Sequence, residues 1–436
     1  MWRNWAGDEA CHPATIEHPA SATEVVLGLE RAVAGGRGVR VAGRGHSFTP
    51  AALTGGSLLL LDRMTGLVDA DGASGLARVR AGTSIRALNA ALPAYGLALE
   101  NLGDVDVQTL AGAVATATHG TGAALRNLSA QVVALELVTA AGQVIELDAV
   151  TDADAWLAAR VAIGALGVMT ELTLRCVPAF TLRGVDGSAP LEDVLATLDE
   201  RAAAHRHFEL FVFPHSAVAL TRTNDVVDEP PRPRTRRRAW TEDVLLTNHA
   251  FHAACVAGRS FPRAIPALNR LVSRAAGSRV RVDRSDRIFA TPRLVRFTEM
   301  EYALPRPTAA EAVRAVKAAA ERSPVNFPIE VRFVAGDDAP LSPAYGRDTV
   351  YVAVHAFKGM PWEPYFREVE AIADSYEGRP HWGKRHFQTA ETLAPRYPEW
   401  DRFQAVRARL DPGGVFTNAY TDRVLGPVGR AAGAAA

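Results

Sequence analysis

Two glycine-rich stretches in this sequence have the residue types for holding a cofactor. The first is Gly43-Arg44-Gly45-His46-Ser47-Phe48, a glycine-x-glycine turn with a histidine in the middle. Glycine lets a backbone approach a phosphate closely, and a tight turn presents its amides as donors. His46 taken alone is a loop histidine making hydrogen bonds. The second is AGAVATATHGTG, Ala111 to Gly122, made of small residues, hydroxyls and His119. As isolated features both are ordinary tight turns. Together they suit one elongated, phosphate-containing cofactor gripped along its length.

A second set has residue types that can hold polar groups and move a proton. In PIEVRF, Glu330 and Arg332 are two apart and share one strand face. They could bond hydroxyls and position each other, or form a surface ion pair worth about 0–1 kcal/mol. In TVYVAVHAF, His355 shares a face with Tyr351, Ala353 and Phe357, while Val350, Val352 and Val354 form the aliphatic face that packs into the core. A strand histidine is otherwise more often structural than catalytic. HWGKRH puts His381 and Lys384 in a loop. A lysine near an arginine has its pKa lowered by like charge and could stabilise an alkoxide or a reduced, anionic cofactor. Zinc on His381 and His386 lacks a motif and further ligands, so no metal is expected.

These residues sit on alternating helical and strand patterns. SATEVVLGLERAVAGG is predicted as a capped amphipathic helix and GVRVAG as a strand. LLLLDRM and LARVRAG are predicted strands, SIRALNAALPAYG a helix ending at glycine, and QVVALELVTAAGQVIELDA a hairpin about Ala141-Gly142. DADAWLAARVAIGALG is predicted as a helix, VMTELTLRCVP as a strand, and TAAEAVRAVKAAAERS as a helix. A dinucleotide fold needs a helix directly after its glycines. Here SFTPAALTGG follows, and Phe48 is too large for the third glycine's place, which opposes a nicotinamide enzyme. DEPPRPRTRRRAW, Asp228 to Trp240, reads as an exposed loop, either solvated or docking an anionic surface through Arg232, Arg234, Arg236, Arg237 and Arg238.

The chain has 436 residues and a formal net charge of +0, so nothing pulls it toward nucleic acid. No apolar run approaches the ~20 residues of a transmembrane helix. Three scattered cysteines (Cys11, Cys176 and Cys255) and an N-terminus unlike a secretory signal lead to a cytoplasmic expectation.

Over nearly its whole length the chain resembles the FAD-dependent vanillyl-alcohol oxidase superfamily, and within it the sugar-1,4-lactone oxidase and alditol oxidase branch. The resemblance rests on GRGHSF, LGDVDVQTLAGAVATATHGTG, GALGVMTELTL, HWGK and RLDPGGVFTNAY. It implies an α+β, two-domain flavoprotein of the PCMH-type FAD-binding fold with an α+β substrate cap. The expected division is an FAD domain over 1–178, a cap over 179–395, a returning segment over 396–430 and a disordered tail over 431–436. FAD would be bonded through its 8α carbon to His46. Around it the resemblance places Gly43, Arg44, Gly45, Ser47, Phe48, Gly103, Asp104, Gly112, Thr116, Ala117, Thr118, His119, Gly120, Gly122, Gly167, Val168 and His381.

Toward the substrate the resemblance places Asp104, Glu330, Arg332, His355, Phe357 and Lys384. His355 or Lys384 would assist loss of the hydroxyl proton, Arg332 and Lys384 would stabilise negative charge, and Glu330 would orient hydroxyls. Gly103 matches an oxygen-gatekeeping position and leans toward an oxidase, although some relatives use a protein or quinone acceptor. Asp104 and Phe357 stand where alditol oxidases have serine and threonine, and Ala117 replaces a glycine. The implied substrate is an aldono-1,4-lactone of the L-gulono or D-arabinono type. A polyol oxidase is the alternative on this scaffold, and a flavin-free binding protein the alternative of another class.

Overall fold

Short runs rich in Val, Ile and Leu build the first sheet. In a computed structural model describing residues 1–275 and 277–428, Thr15–Glu17, Ser57–Leu60 and Val39–Ala42 pair in parallel in that order. The helix Ala22–Ala34 begins where Ser21 accepts the Glu24 amide hydrogen. Its Val25, Leu29 and Ala32, spaced to share one face, are buried. A five-stranded antiparallel sheet follows, in the order Val144–Asp148, Val132–Val138, Val168–Arg175, Leu76–Arg80, Leu67–Asp71. Its expected hairpin turns at Gly142, whose φ of 75° is the left-handed geometry such turns require.

The second half of the chain holds an eight-stranded antiparallel sheet. Its order is Arg279–Arg284, Thr181–Pro190, Val218–Val227, His207–Val212, Ile329–Val334, Thr349–Phe357, Phe297–Pro305, Arg379–Pro380. Helices Ala309–Glu321 and Glu363–Asp374 cover one face, burying Val313, Val316, Phe366 and Val369 against Val350, Val352 and Val354. The other face, with alternate residues such as Glu330, Arg332 and His355, is turned to a cleft. The α+β class is therefore as expected.

Two large cores result. One gathers the first two sheets with Trp382, Phe403, Phe416 and Leu425 from the chain's last part, and the other lies beneath the helices of the eight-stranded sheet. Arg40 fastens the first: its buried guanidinium donates to the carbonyls of Ala51 (2.7 Å), Ile163 (2.7 Å), Gly164 (3.1 Å) and Phe416. Those bonds join the strand before the GRGHSF loop to segments far away in sequence.

Two local expectations change. The helix capped by Asp152 stops at Arg160, where Val161 turns extended (φ −137°, ψ 91°), and the left-handed Ile163 and Gly164 (φ 56° and 68°) keep the following residues out of it. The arginine-rich stretch is not wholly loop. Thr235 caps a helix, Arg236–Ala239, that continues as a π-helix over Trp240–Ala250. Arg234 is paired with Glu242 and Asp243 at 2.8 and 2.6 Å, while Arg232 and Arg236 to Arg238 stay exposed. The tail 431–436 lies outside the described residues. No helix among those residues is long and apolar enough to cross a membrane.

Candidate active site

Two clefts meet at the HWGK loop. The first, with about 1120 Å³ of free space, lies between the residues following strand Val39–Ala42, the start of helix Leu110–Ala115 and the turn Ile163–Gly167. Gly43, Arg44, Gly45, His46, Ser47, Gly112, Thr116 and Gly167 line it. Gly43 is forced by packing, since a Cβ there would sit 2.1 Å from the Thr109 hydroxyl oxygen. Gly45 has φ +70°. Among the described residues the backbone amides of Arg44, Gly45, His46 and Ser47 have no acceptor. A row of free amides on a glycine turn suits a diphosphate.

The loop is held against the HWGK segment: the Phe48 amide donates to Gly383 O at 2.8 Å and the Ser47 hydroxyl to the same oxygen at 3.2 Å. His46 stacks on Trp5, with ring centroids 5.4 Å apart. Burial, aided by Lys384 and Arg44, pushes its pKa down to about 4. At neutral pH it is an uncharged imidazole, the form whose lone pair can bond to carbon.

The second cleft, about 2100 Å³ and open to solvent, runs over the inner face of the eight-stranded sheet. Gln108, His381 and Lys384 line both clefts, so the two adjoin at these residues. Glu330 and Arg332 do share a face, and the guanidinium bonds the Glu330 carboxylate. Arg332 also holds Glu209, its partner on the neighbouring strand, at 3.0 Å, and lies 3.7 Å from Asp104. Arg293 clamps Asp104 from the other side. Burial would raise the Asp104 pKa, but Arg293 and Arg332 hold it well below the usual carboxylate range. Glu330 is the opposite case. Burial lifts it to about 7, with Asp104 and Glu209 adding to the rise and Arg332 opposing it.

A second network lies on strand Phe297–Pro305. Glu299 bonds Lys384 Nζ and faces His355 Nε2 at 3.5 Å. Two residues on, Glu301 lies 3.3 Å from His119 Nε2. The expected lowering of the lysine pKa is not found. Burial does lower it, but Glu299, Glu301 and Glu330 outweigh burial, so Lys384 is held above its ordinary value and stays an ammonium. The arginine that suggested otherwise, Arg385, turns away to Asp8 and Glu9.

The remaining site expectations divide. Gly103, Asp104, Thr118, His119, Glu330, Arg332, His355, His381 and Lys384 line the second cleft. The Thr118 hydroxyl is buried there with no partner among the described residues. Phe48, Ala117, Gly120, Gly122, Val168 and Phe357 are not in either wall. Phe48 packs beneath Lys384, its ring 5.3 Å from Nζ. Gly120 leaves room for Leu102 O and Asn101, and Gly122 for Arg206 O. Ala117 and Val168 are fully buried in the first core. Phe357 joins an apolar cluster with Phe327 and Cys255, so its bulk supports the cleft from behind.

His119, Glu301 and His381 converge closely enough for a metal. However, the Gly383 amide donates to His381 Nδ1 at 2.9 Å. Burial takes the His381 pKa down to about 3, so this neutral ring keeps its proton on Nε2 and is no ligand there.

Glu209, Arg293, Glu299 and Glu301 were missed from the sequence. FTEMEYALP carried a signal: Glu299 and Glu301 alternate with Met300 and Tyr302, which enter the core. HFELFV likewise alternates Glu209 with core Phe208 and Leu210. Arg293 lies outside helices and strands and has no periodic signal.

Residues 172–424 match the profile of D-arabinono-1,4-lactone oxidase, and residues 13–148 match an FAD binding domain. An L-gulono-1,4-lactone dehydrogenase of Mycobacterium tuberculosis is 49% identical over 98% of this chain and 99% of its own. The chain belongs to the D-arabinono-1,4-lactone oxidase family. Other relatives are an L-gulonolactone oxidase of Bos taurus, 33% identical over 97% of this chain and 98% of its own, and an alditol oxidase of a Streptomyces species, 32% identical over 97% and 98%. In fold, a solvent-stable cholesterol oxidase superposes with a TM-score of 0.82 at 20% identity, covering 97% of this chain and 96% of its own. Like its relatives, this lactone oxidase family member is an FAD-dependent oxidoreductase acting on CH–OH donors. The free amides of residues 44–47, the neutral His46 and the adjoining pair of clefts fit that cofactor.

Proposed function

We propose that the protein oxidises an aldono-1,4-lactone of the L-gulono or D-arabinono type, with FAD bonded to His46. The observation that carries the reading is the charged inner cleft sharing Lys384 and His381 with the cofactor cleft. Its wall has five carboxylates (Asp104, Asp186, Glu299, Glu301, Glu330) and five cations (Arg222, Arg279, Arg293, Arg332, Lys384). A balanced, donor- and acceptor-rich wall suits a neutral, hydroxylated ligand better than a carboxylate. The dehydrogenase and oxidase relatives named for gulonolactone favour a lactone over a polyol.

Bound flavin supplies the two-electron acceptor. Lys384, held as an ammonium, is unsuited to take a proton and instead offsets developing negative charge together with Arg332. His355 then takes the hydroxyl proton. Glu330, beside Arg332, accepts from the neighbouring hydroxyls when ionised. Reoxidation draws on oxygen or on a protein or quinone acceptor. Gly103 faces His119 O, 3.1 Å from where a Cβ would stand, so a methyl there would narrow the wall.

Anaerobic mixing of the holoenzyme with L-gulono-1,4-lactone, D-arabinono-1,4-lactone and xylitol tests this reading. Bleaching by the lactones at lower concentration than by xylitol is expected. Bleaching by xylitol alone would reassign the protein as a polyol oxidase. Oxygen uptake during turnover tells the acceptor.

The raised Glu330 pKa adds a pH dependence. Below about pH 7 the buried carboxyl holds its proton, and above it the ionised acceptor is available. The KM for lactone should therefore fall as pH rises through 7. At pH 8, Glu330→Gln should raise KM about tenfold, since a hydrogen bond to a charged group is worth about 1.5–3 kcal/mol. At pH 5.5 the two enzymes should converge. Equal KM values at both pH values would remove this role from Glu330.

A further inference from the structure

We infer that Glu299 is a positioning residue that sets the protons of the reaction: it keeps Lys384 charged and makes His355 Nε2 the place where the substrate's hydroxyl proton goes. The inference rests on the sugar-alcohol reading proposed above.

Glu299 is buried and stands directly opposite His355 in the antiparallel pairing of Phe297–Pro305 with Thr349–Phe357. Backbone register therefore sets their approach. One carboxylate oxygen bonds Lys384 Nζ and the other lies 3.5 Å from His355 Nε2. The loop carrying Lys384 is clamped to the same strand: the Arg385 amide donates to Glu299 O at 2.9 Å and Arg385 Nε to the Thr298 hydroxyl at 2.6 Å.

The imidazole orientation follows from its other nitrogen. His355 Nδ1 lies 3.3 Å from Pro328 O, and a carbonyl only accepts, so Nδ1 carries hydrogen. In the neutral ring, Nε2 then presents a lone pair to a carboxylate. Two acceptors face each other, and the contact becomes a charge-assisted bond only when a proton arrives. Oxidation of a secondary alcohol releases one proton and one hydride. The O–H bond breaks, an Nε2–H bond forms against Glu299, and the hydride with its electron pair leaves to the flavin of the family's reaction. Glu299 stays ionised throughout, because although burial would raise its pKa, the Lys384 ammonium bonded to it holds it below the usual carboxylate range. The other charged groups around it are Glu301 on its own strand and Glu330 and Arg332 across the cleft, and the titratable His381 in the HWGK loop is neutral.

The test uses flavin-loaded enzyme with Glu299→Gln, Glu299→Asp, His355→Gln and the Gln/Gln double variant. Flavin content and the anaerobic reduction rate with L-gulono-1,4-lactone are measured from pH 5 to 10. Glu299→Gln should bind flavin fully and reduce it about 10²-fold more slowly, the scale of general-base assistance. The alkaline limb of its pH profile should move to lower pH, since Glu299 is the largest of the anions that hold Lys384 charged. Glu299→Asp should keep the wild-type alkaline limb with a smaller loss. The double variant should be no slower than the slower single one. An unshifted profile in Glu299→Gln, or additive losses in the double variant, would overturn the inference. If wild-type enzyme bleaches with neither lactones nor polyols, the functional reading itself falls and this one with it.

Discussion

Replacing Lys384 with Met should slow anaerobic flavin reduction by about 10²–10³-fold, the usual loss when one preorganised stabiliser of transition-state charge is removed. Flavin content should remain that of the wild type, because the side chain's charged end belongs to the substrate network. Lys384 is held as an ammonium by Glu299, Glu301 and Glu330, and it stands where the two clefts join. Met preserves the stem over the Phe48 ring and removes only the charge. The substitution also leaves Glu299 as a buried carboxylate without its lysine, and breaking a buried pair costs about 3–5 kcal/mol. A fall in thermal stability is therefore expected alongside the rate loss. The double variant Lys384→Met/Glu299→Gln removes the orphaned charge and should recover stability without recovering rate. If the single variant reduces flavin at the wild-type rate, Lys384 has no part in the chemistry.

Replacing His46 with Ala should convert flavin attachment from covalent to none. In acid-denatured wild-type protein the yellow colour should stay with the pellet, and the peptide containing His46 should carry the mass of FAD. In His46→Ala the colour should move to the supernatant. The physical basis is the state of this ring. Burial, Lys384 and Arg44 keep it neutral, and it is braced on Trp5 beside amides without acceptors. An imidazole so prepared can bond the flavin's 8α carbon, whereas an imidazolium could not. The Ala variant should still bind FAD through the loop amides, and its flavin should be a weaker oxidant, since an electron-poor 8α substituent raises the potential. Yellow supernatant from the wild type would leave the fold and the FAD assignment standing and remove the covalent role.

The eight-stranded sheet illustrates how far one-dimensional patterns reach. Alternation put Glu330 beside Arg332, and Val350, Val352 and Val354 in the core, because side chains on a strand alternate faces regardless of what packs on it. The same rule applied to FTEMEYALP would have found Glu299 and Glu301. Phe357 shares a face with His355, yet at its end of the strand that face meets Phe327 and Cys255 instead of open space. Period-2 reasoning gives the side a residue is on, and not what lies there.

By itself, then, the sequence determined the α+β class, the glycine turn around His46, the small-residue loop with His119, and the family, because these depend on local backbone demands and on motifs with few alternatives. Only the tertiary structure decided the electrostatics. Lys384 is charged because a strand more than eighty residues away in sequence brings Glu299 to it. Glu330 holds its proton to about pH 7 because folding buries it and, to a lesser extent, because Asp104 and Glu209 arrive near it from other parts of the chain. Coulomb energy depends on distance and burial, and neither is written in the order of the residues.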